Sequence, residues 1–198
     1  MINKKTPVIL LVGGKGSRYL DEENKPKQLA TIKNKPILMH MINSYFIFGF
    51  NLIILPLGFK KEIFEKFFNS KKNKKKFKFN LIDAKLKNFK FNRINIFLFD
   101  AKKNISKLER IKKSLKYLRD FDNIGVNYGD AISNINIKLV YKKFLKKNYD
   151  AIMSVTKIKS PYGHIIIKKN IVKSFIEKPY LTSPTNIGYY FIKKKIKN

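Results

Sequence analysis

Pro7-Val8-Ile9-Leu10-Leu11-Val12-Gly13-Gly14-Lys15-Gly16-Ser17-Arg18 is the stretch on which the fold turns. Residues 8–12 form an apolar run with β-branched members, the pattern of a buried strand. Three glycines then break the run. Gly13, Gly14 and Gly16 free the backbone to turn sharply and to present N–H groups to an anion. Arg18 adds a planar fork of donors suited to phosphate oxygens. The unit has the makings of a triphosphate cradle. It is not the G-x-x-x-x-G-K-[ST] loop, because no Lys-Ser/Thr pair follows the last glycine, and it is not G-x-G-x-x-G. A tight strand–helix turn that binds nothing would use the same residues, so the stretch alone leaves both readings open.

Strand and helix patterns alternate along the rest of the chain. Pro36 stands where a first helical turn begins, since proline needs no N–H there. Ile37, Met41, Tyr45 and Phe48 recur on one face, and Gly49 ends that helix. Leu52–Leu57 reads as a second strand. Residues 61–68 read as a second helix with apolar Ile63, Phe64 and Phe67. Residues 71–93 are expected to be irregular, with a short hairpin or loops. Residues 95–99 read as a strand, and 107–118 as a basic helix with Leu108, Ile111, Leu115 and Leu118 inward. A strand over 124–128 leads into Gly129-Asp130, followed by a helix over 137–145 and a strand at Ala151–Thr156. After Ser160 the residues 165–167, 172–176 and 187–191 look like strands with no long helix between them.

Repeated strand–helix–strand units predict an α/β fold, a Rossmann-like, mainly parallel mixed sheet flanked by helices. Such sheets bind ligands beyond the carboxyl ends of their strands. The glycine loop and Gly129-Asp130 both fall at such ends, which places them on one edge.

Composition narrows the classes. At 198 residues the chain is most simply one domain with a real core, and 44% hydrophobic residues exclude a disordered tail. No apolar run approaches the roughly 20 residues of a membrane span, and no signal peptide is read at the N-terminus. With no cysteine, disulfides, thiolate zinc sites and cysteine catalysis are excluded. A cytoplasmic protein without a membrane partner is the expectation. The net charge of +31 would draw the chain to nucleic acid by electrostatics alone. Yet lysines are spread along the whole chain beside abundant Asn and Ile, which suits a coding bias equally well. The densest cluster, Lys71, Lys72, Lys74, Lys75 and Lys76, is read as a solvated loop, and nucleic acid is not the expected partner.

Further segments carry a resemblance. Pro26-Lys27 follows the glycine loop, and Lys35-Pro36 opens a helix. Residues 95–100, Asn-Ile-Phe-Leu-Phe-Asp, look like a "VTLVDT" strand, and Tyr128-Gly129-Asp130 like "YGD". Ser174-Phe175-Ile176-Glu177-Lys178-Pro179 looks like "SFQEKP", and Asn186-Ile187-Gly188-Tyr189-Tyr190 like "NGGFF". In this order they resemble the sugar-1-phosphate nucleotidyltransferases, and within them the glucose-1-phosphate cytidylyltransferases. The likeness runs from about residue 8 to about 192. It implies the nucleotide-diphospho-sugar transferase-like fold, with about 7–156 as a nucleotide-binding half and about 157–198 as a partial sugar-binding half.

The resemblance implies a sugar 1-phosphate oxygen attacking the α-phosphorus of a nucleoside triphosphate, with pyrophosphate leaving. Such a transfer needs charge neutralisation and alignment more than acid–base chemistry. Arg18, Lys27 and Asp130 would be the catalytic residues. Leu11, Val12, Gly13, Gly14, Lys15, Gly16, Ser17, Arg18, Lys27, Arg110 and Gly129 would face the nucleotide. Gly163, Glu177, Lys178 and Asn186 would face the sugar phosphate. Asp130 would hold Mg²⁺, which prefers one or two carboxylates plus phosphate oxygens and water. His40 and His164 are read as structural or surface residues.

Three departures from the family pattern stand out. Ser17 replaces Thr, which keeps the hydroxyl. The family's "TxTGGR" segment has become Ile105-Ser106-Lys107-Leu108-Glu109-Arg110, so side chains of Leu108 and Glu109 are expected where backbone should approach the nucleotide. "NGG" has become Asn186-Ile187-Gly188, and Ile187 is expected to crowd the sugar pocket. The family also carries a second metal-binding aspartate in a later segment, and no Asp or Glu follows Glu177 in this sequence. Either Asp130 holds the metal with phosphates and water, or the protein binds ligand without turnover. A degenerate nucleotide-binding protein and a basic nucleic-acid-binding protein are therefore the two other readings, and homo-oligomerisation stays open.

Overall fold

The structure is a computed structural model that describes residues 6–14, 25–86 and 92–194. The elements run β1 (Val8–Leu11), a 3-10 turn (Lys27–Leu29), β2 (Thr31–Ile32), β3 (Lys35–Pro36), α1 (Ile37–Ile47), β4 (Leu52–Leu57), α2 (Lys61–Asn69) and α3 (Lys71–Phe77). They continue with β5 (Phe79–Leu81), β6 (Ile94–Asp100), α4 (Lys107–Leu115), β7 (Asn123–Tyr128), α5 (Ile137–Lys146), β8 (Ala151–Thr156), β9 (His164–Lys168), β10 (Ile171–Ile176) and β11 (Thr185–Lys193).

A seven-stranded sheet has the order β5-β6-β4-β1-β7-β11-β8. The five strands from β5 to β7 are parallel, and β11 inserts antiparallel between β7 and β8. The parallel part follows from strand–helix–strand connections, and the antiparallel part from the helix-poor sequence after α5. The chain leaves β1 for β4 on one side and returns to β7 on the other. That makes β1 the topological switch point, the place where open α/β sheets form a ligand crevice.

The alternating pleat of β1 sends Val8, Leu10 and Val12 into one core layer and Ile9 and Leu11 into the other. The first layer takes the apolar faces of α1, α2 and α5. The second takes Leu118, with Ile111 and Leu115 of α4 at its margin. Strands buried on both faces read as continuous apolar runs, as β1 and β4 do. Among the described residues no helix is long and apolar enough to cross a membrane.

Three expectations need correction. The region after Ser70 holds a helix and a strand rather than loops. Ser70 caps α3 by accepting from the Asn73 N–H at 3.3 Å, Phe77 packs on Phe67, and β5 pairs parallel with β6 instead of forming a hairpin. Like-charged lysines carry no apolar period, so this element is hidden from pattern reading. In α4 the inward face is Arg110 and Ser114, whereas Leu108 is 60% exposed. In α1 the buried residues are Leu38, Met39, Met41, Ile42 and Tyr45, and Pro36 closes β3 before the first turn instead of lying in it.

The corrected face of α4 has a direct consequence for stability. Leu108→Ala should leave stability within about 0.5 kcal/mol. Leu118→Ala, at a fully buried site, should cost about 2–5 kcal/mol. Urea midpoints of the two variants check this, and equal losses would contradict it.

Candidate functional site

The glycine turn at the end of β1 is locked from below. Gly13 has φ +83°, and a Cβ there would lie 2.5 Å from the Gly58 backbone nitrogen, so only glycine fits. The Gly13 carbonyl accepts from the Phe59 N–H at 2.9 Å and from Nη2 of Arg110 at 3.1 Å. Nη1 of the same guanidinium donates to the Leu57 carbonyl at 3.1 Å and the Pro56 carbonyl at 3.4 Å. A Cβ at Gly58 would sit 2.5 Å from both terminal nitrogens. Arg110 is thus 5% exposed beneath the turn, with its donors taken by the carboxyl ends of β1 and β4. Burial lowers its pKa, opposed by Asp100.

Arg110 therefore supports the glycine turn from beneath instead of standing on its open side. Gly14, by contrast, is exposed, and no described residue lies within 4 Å of the place of a Cβ. Lys15, Gly16, Ser17 and Arg18 lie outside the described residues.

The altered segment before Arg110 folds back on itself. Ser106 Oγ accepts from the Glu109 N–H at 3.1 Å, and Glu109 Oε2 accepts from the Ser106 N–H at 2.8 Å. This capping box starts α4. It holds the Glu109 carboxyl below its usual pKa, chiefly through the Ser106 N–H. The Glu109 side chain is spent on its own helix end, and Leu108 stays on the surface.

Lys27 and Asp130 meet at the mouth of the crevice. Lys27 opens the 3-10 turn after Pro26, and Asp130 follows β7. Their Nζ and Oδ2 atoms are 3.1 Å apart, with side chains 46% and 28% exposed. Gly129 makes the approach feasible. Its N–H donates to the Leu11 carbonyl at 3.0 Å, and a Cβ there would lie 2.7 Å from Val12 Cγ1. An exposed ion pair adds at most about 1 kcal/mol, so stability does not account for this placement. Among the described residues no group of three His, Cys, Asp or Glu is arranged to hold a metal.

On the other side of β7, Asn186 is held at both ends of its amide. Oδ1 accepts from the Gly188 N–H at 2.7 Å, and Nδ2 donates to the Tyr190 hydroxyl. The Tyr190 and Tyr128 hydroxyls are 3.3 Å apart, and Lys107 Nζ lies 4.2 Å from the Tyr128 ring centroid. The Tyr190 hydroxyl, followed by Lys107, draws the Tyr128 pKa down, while burial and Tyr128 push that of Tyr190 up. Gly188, at φ +89°, lets Tyr128 pack where a Cβ would be 2.7 Å away.

Ile187 does not crowd this side. It packs against the first core layer. Lys178 and Glu177 are 3.8 Å apart and more than half exposed. Gly163 lies under Phe175 and beside Glu177, where a Cβ would be 2.5 Å from the ring and 3.1 Å from the carboxylate. His40 is tied to the Ile32 carbonyl and His164 to Ser160 Oγ. Sequence reasoning missed Gly58, Lys107 and Tyr190. Lys107 had a signal, since it stands inside the altered motif.

With this geometry in view, comparison with known proteins identifies the chain. Residues 7–198 match the nucleotidyl transferase family model, and the chain belongs to that family. It is 27% identical to glucose-1-phosphate cytidylyltransferase of Salmonella typhimurium, over 93% of this chain and 73% of that protein. It is 24% identical to D-glycero-alpha-D-manno-heptose 1-phosphate guanylyltransferase of Aneurinibacillus thermoaerophilus, over 95% of this chain and 75% of that one. A solved UDP-glucose pyrophosphorylase in complex with UDP-glucose superposes with a TM-score of 0.64 at 16% identity, covering 94% of this chain and 75% of that one. This last likeness shows the same fold.

The lock under the turn is testable. Gly13→Ala should cost about 1–3 kcal/mol from backbone strain alone, and Gly14→Ala under about 0.5 kcal/mol. Arg110→Met should cost about 1–3 kcal/mol, because the buried guanidinium's bonds are lost while the Gly13 and Leu57 carbonyls keep the Phe59 and Ala101 N–H groups. Arg110→Lys should not restore it, because lysine lacks the planar fork. Chemical denaturation distinguishes these, and equal effects at Gly13 and Gly14 would contradict the lock.

Proposed function

We propose that this chain joins a nucleoside triphosphate to a sugar 1-phosphate, with CTP and glucose 1-phosphate as the pair, and releases pyrophosphate. The observation that carries the proposal is the Lys27–Asp130 pair, open to solvent at the carboxyl ends of β1 and β7. It stands where an α/β sheet of this topology takes its ligand. The cytidylyltransferase relative supports the choice of CTP, and the guanylyltransferase relative makes nucleotide selection the point to test.

In this reading the backbone of Leu11, Val12, Gly13 and Gly14 lies along the nucleotide, with Gly129 closing the β7 side against Val12. Lys15, Gly16, Ser17 and Arg18 grip the triphosphate. An oxygen of the sugar phosphate attacks the α-phosphorus. The new P–O bond forms as the bond to the β-phosphate oxygen breaks, and pyrophosphate leaves with the electron pair. Lys27 exchanges its carboxylate partner for a phosphate oxygen and neutralises charge at the reacting centre. Lys178 holds the sugar phosphate, and Glu177 and Asn186 contact sugar hydroxyls beside Gly163.

A single carboxylate fits Mg²⁺ in the mode where substrate phosphates and water complete the shell, and Asp130 is the residue that would hold it. Mg²⁺ there would supply charge neutralisation on the phosphates.

Pyrophosphate release with glucose 1-phosphate should occur with CTP in preference to UTP, dTTP, ATP and GTP. Lys27→Ala and Asp130→Ala should each lower kcat by about 10²–10³, the scale of one lost transition-state contact. Their melting temperatures should stay near wild type, because the pair is exposed. Full activity in either variant would refute the site. A folded protein that binds CTP but releases nothing would favour ligand binding without turnover.

A further inference from the structure

We infer that Lys107 and the Tyr190 hydroxyl, acting through Tyr128, are positioning residues that fix the Asn186 amide on the sugar side of the site. The inference rests on the proposed assignment of Asn186 to the sugar.

The starting point is a convergence. Lys107 stands where the family pattern has threonine, and Tyr190 where it has phenylalanine. The two are 83 positions apart in sequence, yet both reach the same side chain. Lys107 Nζ lies over the Tyr128 ring at 4.2 Å, and the Tyr190 hydroxyl lies 3.3 Å from the Tyr128 hydroxyl. A cation on the ring face and a hydroxyl at the ring oxygen meet on one phenol. Groups that share a partner in this way reinforce each other.

The far end of the arrangement is Asn186. Its Nδ2 donates to the Tyr190 hydroxyl and its Oδ1 accepts from the Gly188 N–H. Both bonds are satisfied only in one orientation of the amide. One lone pair of Oδ1 remains for a ligand. Phenylalanine at 190 would remove the bond from Nδ2 to the Tyr190 hydroxyl and loosen that end of the amide.

The arrangement spans the site. Tyr128 pairs with Leu11 across the sheet, two residues before the first glycine of the turn. Lys107 belongs to the first turn of α4, three residues before the buried Arg110. Asn186 and Tyr190 belong to β11. A side-chain path therefore runs from the first turn of α4 through Tyr128 at the end of β7 to the strand carrying Asn186.

The test uses Tyr190→Phe, Lys107→Met, Lys107→Arg and the double variant Y190F/K107M, with two readouts. The first is the side-chain amide resonance pair of Asn186 in asparagine-labelled protein without ligand, assigned by its loss in Asn186→Ala. The second is binding of CDP-glucose against CDP by calorimetry. Y190F and K107M should each shift the Asn186 pair and weaken CDP-glucose several-fold, leaving CDP within twofold. K107R should behave as wild type, and the double variant should lose less than the two losses multiplied.

An unmoved Asn186 pair in K107M, or equal loss for CDP and CDP-glucose, would overturn the inference. A wild-type protein that ignores CDP-glucose while its Asn186 pair responds to both substitutions would support the coupling and refute the sugar assignment it was joined to.

Discussion

A buried guanidinium bonded to backbone carbonyls is the constraint on which the rest of this structure depends. Arg110 spends its donors on three carbonyls at the ends of β1 and β4. Removing one partner of such a set leaves buried polar groups without water. The same contact dictates glycine at 58, where any side chain would meet the guanidinium, and glycine at 13, where any side chain would meet Gly58. It also docks α4 against the sheet through a charged residue, where an apolar ridge would be the ordinary means. Three residues from distant parts of the sequence are thereby one device, and its product is a fixed edge at the carboxyl ends of the central strands.

The proposed chemistry is arranged on that edge. Gly129 brings the end of β7 against Val12, and Asp130 then meets Lys27. These side chains are exposed enough to trade each other for a ligand, which a buried pair could not do without a large desolvation penalty. Rigid backbone below and exchangeable charge above is the division of labour that phosphoryl chemistry asks for, since positioning and neutralisation supply most of its catalysis.

The sheet was legible because its strands are apolar runs bounded by glycine, and the order strand–helix–strand admits few topologies. Asp130 was legible on the edge of the glycine loop because it follows a strand end, and Lys27 was read at the reacting centre from the resemblance alone; their contact was not foreseen. Other features were hidden for physical reasons. A lysine-rich helix such as α3 has no hydrophobic period. The inward face of α4 uses Arg110 and Ser114, so apolar periodicity pointed to Leu108 instead. Ile187 looked like an obstruction because sequence does not say which face of β11 it occupies, and a bulged strand shifts that face. Glu109 looked like an intrusion into the nucleotide edge, but S-x-x-E is also a capping box, and here the local bond wins.

The most direct test of the central claim follows the atoms. Glucose 1-phosphate carrying ¹⁸O in its phosphate is incubated with the protein, Mg²⁺ and unlabelled CTP, and the products are weighed by mass spectrometry. If a sugar phosphate oxygen attacks the α-phosphorus at this edge, every label stays in a nucleotide sugar and the pyrophosphate is unlabelled. Labelled pyrophosphate, or inorganic phosphate released from the sugar with no nucleotide sugar formed, would contradict the account.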